Sequence, residues 1–388
     1  MAASQPQPPR YLPNVSDDDD EHLIEIDTHK ELITSLTSIV QGCPPKKPWT
    51  DLFKDKPMGL WTGPTSLAYL LLWLSKTHPD LTVESRQPLE WCTAYLECGQ
   101  ADIPGPKGLN GWGVKNEYLA FHTVRACATQ NMDDVAKVKA AVEGDLVEVC
   151  PAVDNEHLSG RAGTLALLRM IRHWIPEAAE TVTGCMGPLI DHIIASKPWR
   201  FHGHNYIGAA HGQIGIITQV VLCDPSRISD ILPELNELLD LQTEEGHWFI
   251  TDDPELGAPD LVHHCHGSPG FVMSLMKIRR FFDEEIRNRI DRAIERGRKE
   301  IWKLGLLTKE PNLCHGITGN MLAFEDWGKR RWFMGFATRE AIENGKKDGR
   351  FVAGDDPWGL LWGEGGRAWG WMVMDAQVDL GYPSYTDI

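Results

Sequence analysis

The sequence predicts an all-α fold: an α/α toroid, a double ring of helical hairpins closed on itself. Three observations carry this. A Gly-x-x-Gly core followed by an apolar run recurs along the chain, four times clearly and three times in degenerate form. The apolar residues of each run are too dense for a helix with one face in water, which marks inner helices packed all round. Successive copies are separated by roughly 40 to 55 residues, room for a loop and an outer return helix, which is the period of a helical-hairpin array.

Taken in order, the chain begins with an arm, residues 1–21, rich in Pro and Gln and ending in the acidic run Asp17 to Glu21. It is expected to be flexible in its free form. Residues 22–388 read as a single domain. HLIEIDTHKELITSLTSIV has the period of an outer helix. The first inner run is TGPTSLAYLLLWL from Thr62, with Ser66 in the second glycine position, and the second is WGVKNEYLAFHTV from Trp112. The four clear copies follow: SGRAGTLALLRMI from Ser159, AHGQIGIITQVVL from Ala210, CHGSPGFVMSLMKI from Cys265 and CHGITGNMLAF from Cys314. The last is EGGRAWGWMVMD from Glu364, with Ala368 read in the second glycine position. Stretches rich in Pro and Gly from Cys43 and from Glu97, and the acidic stretch 252–259, are expected loops. Each glycine pair opens a helix where a Cβ would obstruct a tight turn, and seven such turns gather at one mouth.

Composition narrows the function. With 42% hydrophobic residues the chain has ample core, and a net charge of -17 argues against nucleic acid or an anionic membrane as the main partner. The longest apolar run, LAYLLLWL from Leu67, is too short to span a bilayer, so no integral membrane segment is expected. The start MAASQPQPPR lacks a secretory apolar region, and nine cysteines form an odd set. Both point to a reducing compartment: the cytosol, with the nucleus as the alternative.

Two Cys-His-Gly triplets, Cys265-His266-Gly267 and Cys314-His315-Gly316, each begin a repeat turn. Thiolate and imidazole are the side chains that hold zinc. From the residues alone the histidine ligand is either His266 or His315. Cys43, Cys92, Cys98, Cys127, Cys150, Cys185 and Cys223 read as core cysteines. His211, in the turn one repeat earlier, falls on the same mouth and is the candidate general acid, because imidazole as a side-chain type exchanges protons near neutrality.

The residues RYLPN from Arg10, GHNYIGAAHGQIGI from Gly203, DLVHHCHGSPG from Asp260, IWKLGLLTKEPNLCHGITGN from Ile301 and the closing EGG from Glu364 lie in order along almost the whole chain. Together they resemble the eukaryotic lanthionine synthetase C-like (LanC-like) proteins, relatives of bacterial lantibiotic cyclases. The resemblance implies a toroid holding one Zn²⁺ per chain through Cys265, Cys314 and His315, with a fourth position open to a thiol. It implies glutathione as co-substrate, its thiol added across dehydroalanine or dehydrobutyrine in a protein or peptide to form a thioether. Lys309 and Arg10 match basic positions of the family and are expected to hold a glutathione carboxylate or stabilise the enolate; Asp356 and Glu364 are expected to hold its ammonium group.

Two positions depart from the family pattern. His264 stands where relatives carry Trp before the first zinc cysteine, and the last repeat is read as losing its second Gly to Ala368 and gaining a residue before Glu364. The alternative function is a non-catalytic zinc- and glutathione-binding signalling or scaffold protein. A glycoside hydrolase would need two carboxylates across a cleft, from Asp252, Asp253, Asp355, Asp356 and Glu364, and would leave the Cys-Cys-His set idle.

Overall fold

A computed structural model describes residues 10–14, 25–46, 58–99, 111–147, 154–253, 261–354 and 356–388. The acidic run at 17–21, Cys150 and Asp355 lie outside them. In chain order the helices are α1 (Thr28–Gly42), α2 (Pro64–Thr77), α3 (Pro88–Gly99), α4 (Glu117–Thr129) and α5 (Met132–Val147). There follow α6 (Arg161–Trp174), α7 (Ala179–Ala195), α8 (Gln213–Cys223), α9 (Ile228–Asp240) and α10 (Ser268–Ile278). The last are α11 (Glu284–Leu304), α12 (Ile317–Met321), α13 (Trp327–Gly335), α14 (Arg339–Lys347) and α15 (Glu364–Ala376). Extended pairing among the described residues is confined to isolated bridges. No helix among them is long and apolar enough to cross a membrane.

Two concentric layers follow from burial. Residues 64–74 of α2, 214–223 of α8 and 365–374 of α15 are buried on every face. By contrast α11 buries a stripe of Ile286, Ile290, Ala293, Ile294, Gly297, Ile301 and Trp302 at the helical period and turns most of its charged residues outward, the exception being Glu300, which is buried against His247. Each inner helix packs on an outer one: α2 on α3, α4 on α5, α6 on α7, α8 on α9, α10 on α11, α12 on α13 and α15 on α1. Helix α1, capped by the Asp27 carboxylate on the Lys30 N–H, therefore joins the first part of the chain to the last, and α15 packs on α2 to close the ring.

The glycine pairs act by one repeated contact. The first glycine is the N-cap of its helix, and a Cβ on the second would strike the carbonyl oxygen six residues back. That oxygen belongs to His157 for Gly163, Ala209 for Gly215, His264 for Gly270, Leu313 for Gly319 and Leu360 for Gly366. The same contact corrects the frame of the last repeat: its pair is Gly363 and Gly366, so the second glycine is not lost to Ala368. In the first repeat Gly63 is the N-cap and the Ser66 hydroxyl donates to its carbonyl; in the second, Asn116 takes the cap, its side-chain oxygen accepting from the Leu119 N–H, and neither position of the pair is glycine. Gly319→Ala places its Cβ 1.8 Å from the Leu313 oxygen. It is expected to cost about 3 kcal/mol, read as a lower urea midpoint, whereas Gly184→Ala, with open space on α7, is expected to leave the midpoint unchanged or slightly raised.

A belt of backbone hydrogen bonds runs round the mouth just ahead of these glycines. It passes from Leu60 to Val114, from Lys115 to Leu158, from His157 to Ala210, from Ala210 to Cys265, from Cys314 to Leu361 and from Leu361 to Trp61. At the remaining seam the Cys265 Sγ lies 3.4 Å from the Cys314 carbonyl oxygen.

The axis of the ring is filled from the other side. Tyr385 reaches Ser274 and Thr218 through its hydroxyl, and its carbonyl accepts from Gln219; Asp387 accepts from Tyr69 and Trp73. Tyr382 stacks on His264 with ring centroids 3.5 Å apart. His264, the position expected to depart from the resembled pattern, thus presents a flat ring to this plug.

Within the amino-terminal arm, residues 10–14 dock on the body. Leu12 N–H donates to Leu306 O and Thr308 N–H to Arg10 O, while the Asn14 amide donates to Trp302 O. Val352 in turn donates to Thr308 O and accepts from Glu310 N–H, so three short stretches make a ribbon at the mouth.

Candidate functional site

Counting back from the first glycine of each repeat places every notable side chain. Two residues before it stand Cys265 and Cys314; one before it stand His211, His266, His315 and Trp362; four before it stand Glu156 and His263. Equal register in a repeat means equal height in the ring, so these residues converge on the mouth.

The ligand atoms of Cys265, Cys314 and His315 all lie within 4.8 Å of one another. The two cysteines form a disulfide in this structure, with Cα atoms 6.0 Å apart, and His315 Nδ1 is 4.0 Å from Cys265 Sγ. Both cysteines are buried. His266 is not part of this cluster: its ring lies between His211 and His263, 5.9 Å from each. Burial, then the neighbouring His211 and His315, push His266 down to about 4. His263 is also held well below the ordinary histidine value by burial and by His315 and His266. With the cysteines reduced, two thiols and an imidazole converging on one point would fit a zinc ion with three protein ligands. Elsewhere burial pushes the thiols of Cys43 and Cys92 up to about 12, as befits core cysteines.

His211 is held by its neighbours. Its Nδ1 lies 3.1 Å from the Glu156 carboxylate, which also accepts the Leu158 and Ser159 N–H groups, and its ring stacks on Phe201 at 4.5 Å. Glu156 is buried, so the imidazole has one fixed orientation with Nε2 directed away from the carboxylate.

Two cavities flank the ribbon. One of about 390 Å³ is lined by Arg10, His263, Lys309, His315 and Val352. The other, of about 670 Å³, is lined among others by Glu310, Arg339, Asp356, Trp358, Trp362 and Glu364. The structure therefore brings Arg10 and Lys309 together beside His315, and sets Asp356 and Glu364 apart from them on the far side. Asp356 is buried, and its carboxylate accepts the Trp358 and Gly359 N–H groups and the Thr62 hydroxyl. Glu364 pairs with Arg367 and, at 3.5 Å, with Arg339. Of the other carboxylates weighed for a hydrolase, Asp252 accepts the Asn205 amide. Glu156, His263 and Trp362 were not singled out from the sequence; the signal that finds them is their register to the first glycine.

A closed α/α ring with a thiol–imidazole cluster at the mouth, fed by a basic cavity, is the class these features define. Residues 54–384 match the family described as lanthionine synthetase C-like protein, and the chain belongs to that family. It is 32% identical over 133 residues to glutathione S-transferase LANCL1 of Danio rerio, covering 32% of this chain and 31% of that one. It is 27% identical over 257 residues to LanC-like protein GCL1 of Arabidopsis thaliana, covering 59% of this chain and 57% of that one. In both matches the chain spans less than two thirds of the relative's length. Among solved structures, nisin cyclase superposes with a TM-score of 0.62 at 13% identity, over 93% of this chain and 97% of that one, a likeness of fold.

Proposed function

We propose that the chain is a zinc-dependent enzyme that adds the glutathione thiol to dehydroalanine or dehydrobutyrine residues of a protein or peptide, leaving a thioether. The observation that carries this is the convergence of Cys265, Cys314 and His315 beside a cavity lined by Arg10 and Lys309. With the cysteines reduced, these three residues hold the metal. When bound, Zn²⁺ supplies the Lewis acidity that keeps a coordinated thiol deprotonated at neutral pH.

The remaining work belongs to side chains. Arg10 offers a planar fork and Lys309 a point charge to the carboxylates of glutathione, and both counter negative charge that develops on the acceptor carbonyl as the sulfur–carbon bond forms. The addition leaves an enolate whose α-carbon needs a proton. His211, whose Nδ1 is held by Glu156, takes at Nε2 the proton that the glutathione sulfur loses and returns it from Nε2 to the α-carbon, so the thiol's hydrogen ends on the product.

The test is mass spectrometry of the zinc-loaded, reduced protein incubated with glutathione and a dehydroalanine peptide. The expected result is a peptide mass increased by one glutathione, faster than without protein. Zinc retained with no adduct above the uncatalysed rate on any dehydro-peptide would replace the enzyme reading by the binding and signalling one.

A further inference from the structure

We propose that the larger cavity seats an acidic stretch of the acceptor peptide, so that donor thiol and acceptor reach the metal ligands from opposite sides of the ribbon. The inference rests on the functional reading above and adds to it the seat and the chemistry of the second substrate. An addition between two separate molecules needs two seats that face one reacting centre. The mouth supplies them. Lys309 and Val352 line one cavity, and the residues that follow each in the ribbon, Glu310 and Ala353, line the other. Trp362 carries the larger cavity to the cluster, for it lines that cavity and its ring lies 6.4 Å from that of His315.

The kind of ligand follows from which charges face solvent. In each surface pair of this cavity the cation is the outer member: the side chain of Arg339 is 35% exposed against 12% for Glu364, and that of Lys346 is 50% exposed against 29% for Glu310. The lining holds three cations, Arg339, Lys346 and Arg367, and three carboxylates, Glu310, Asp356 and Glu364, and the most exposed of these charges are the two cations Lys346 and Arg339. Arg367, buried in the lining, keeps its Nε without a hydrogen-bond partner among the described residues. Its Nη2 is paired with the Glu364 carboxylate, so Arg367 fixes that acid in the wall of the cavity. Trp358 and Trp362 add flat apolar walls, and the volume of about 670 Å³ lies in the range of ligand sites. Carboxylates on a flexible peptide, with an apolar neighbour, match this combination.

The experiment separates binding from chemistry. A fluorescein-labelled peptide with aspartates flanking alanine, the alanine standing in for dehydroalanine, is titrated into the zinc-loaded protein at low salt and followed by anisotropy. Binding is expected to weaken with added salt, to persist at saturating glutathione, and to fall by roughly tenfold in Lys346→Glu. Arg339→Gln is expected to act in the same direction, with urea midpoints of both variants checking that they fold. The proposal is overturned if both folded variants bind the peptide as wild type does, if a lysine-flanked peptide binds equally well, or if glutathione competes the acidic peptide away. Thioether formation without this binding removes the seat and keeps the functional reading; binding at the seat without thioether formation does the reverse.

Discussion

Cys314→Ala is expected to lose stoichiometric zinc and to lower the rate of thioether formation by more than about 100-fold, beyond the 10–100-fold that removing a supporting residue of a metal site costs. Two features set the size of the effect. Only three protein donors converge at the mouth among the described residues, so removing one leaves two, too few to retain the ion against solution chelators. Cys314 also sits in the belt of backbone hydrogen bonds, donating its N–H to Leu361 O, a bond that alanine keeps. The variant should therefore fold with a normal urea midpoint, and metal analysis of the folded protein distinguishes loss of the ligand from loss of the structure. Zinc retained in full by Cys314→Ala would remove this residue from the ligand set.

His211→Asn is expected to reduce kcat by about 10²–10⁴-fold, the usual worth of a positioned acid or base, while zinc content stays at the wild-type level. Asparagine preserves the possibility of a hydrogen bond to Glu156 but carries no exchangeable acid, so the loss reports on proton delivery. Glu156→Gln removes the charge that orients the ring without removing the ring, and a smaller fall in kcat is expected. Combined, the two substitutions should cost little more than His211→Asn alone, because a positioning residue has nothing left to position. An additive loss in the double variant would show that Glu156 acts on its own account, through the turn it caps at Leu158 and Ser159.

The ring and its mouth were legible in the sequence because the constraint that builds them is a local steric one. A helix whose third residue lies against a carbonyl oxygen six positions back admits only glycine or a very small side chain, and that demand prints a Gly-x-x-Gly frame wherever it applies. The frame of the last repeat was misplaced for the same reason: Gly363, Gly365 and Gly366 lie so close that two registers fit, and only the contact with Leu360 O chooses between them. Cys265, Cys314, His315 and His211 stood out by residue type. Glu156 and His263 did not, since a carboxylate and a histidine outside the Cys-His-Gly triplets look ordinary until their register is counted. The division of the expected glutathione residues into two cavities was not legible at all, because it depends on a ribbon formed by residues 10–12, 306–310 and 352, which are far apart in the chain.

The tyrosines and Asp387 that occupy the ring's axis make this toroid a cup rather than a tube. No polypeptide can be threaded through it, so an acceptor of any size must offer its reactive residue as a protruding loop or tail and withdraw the same way. Both cavities open on the mouth side, so under the proposed function whatever enters from there must also leave from there.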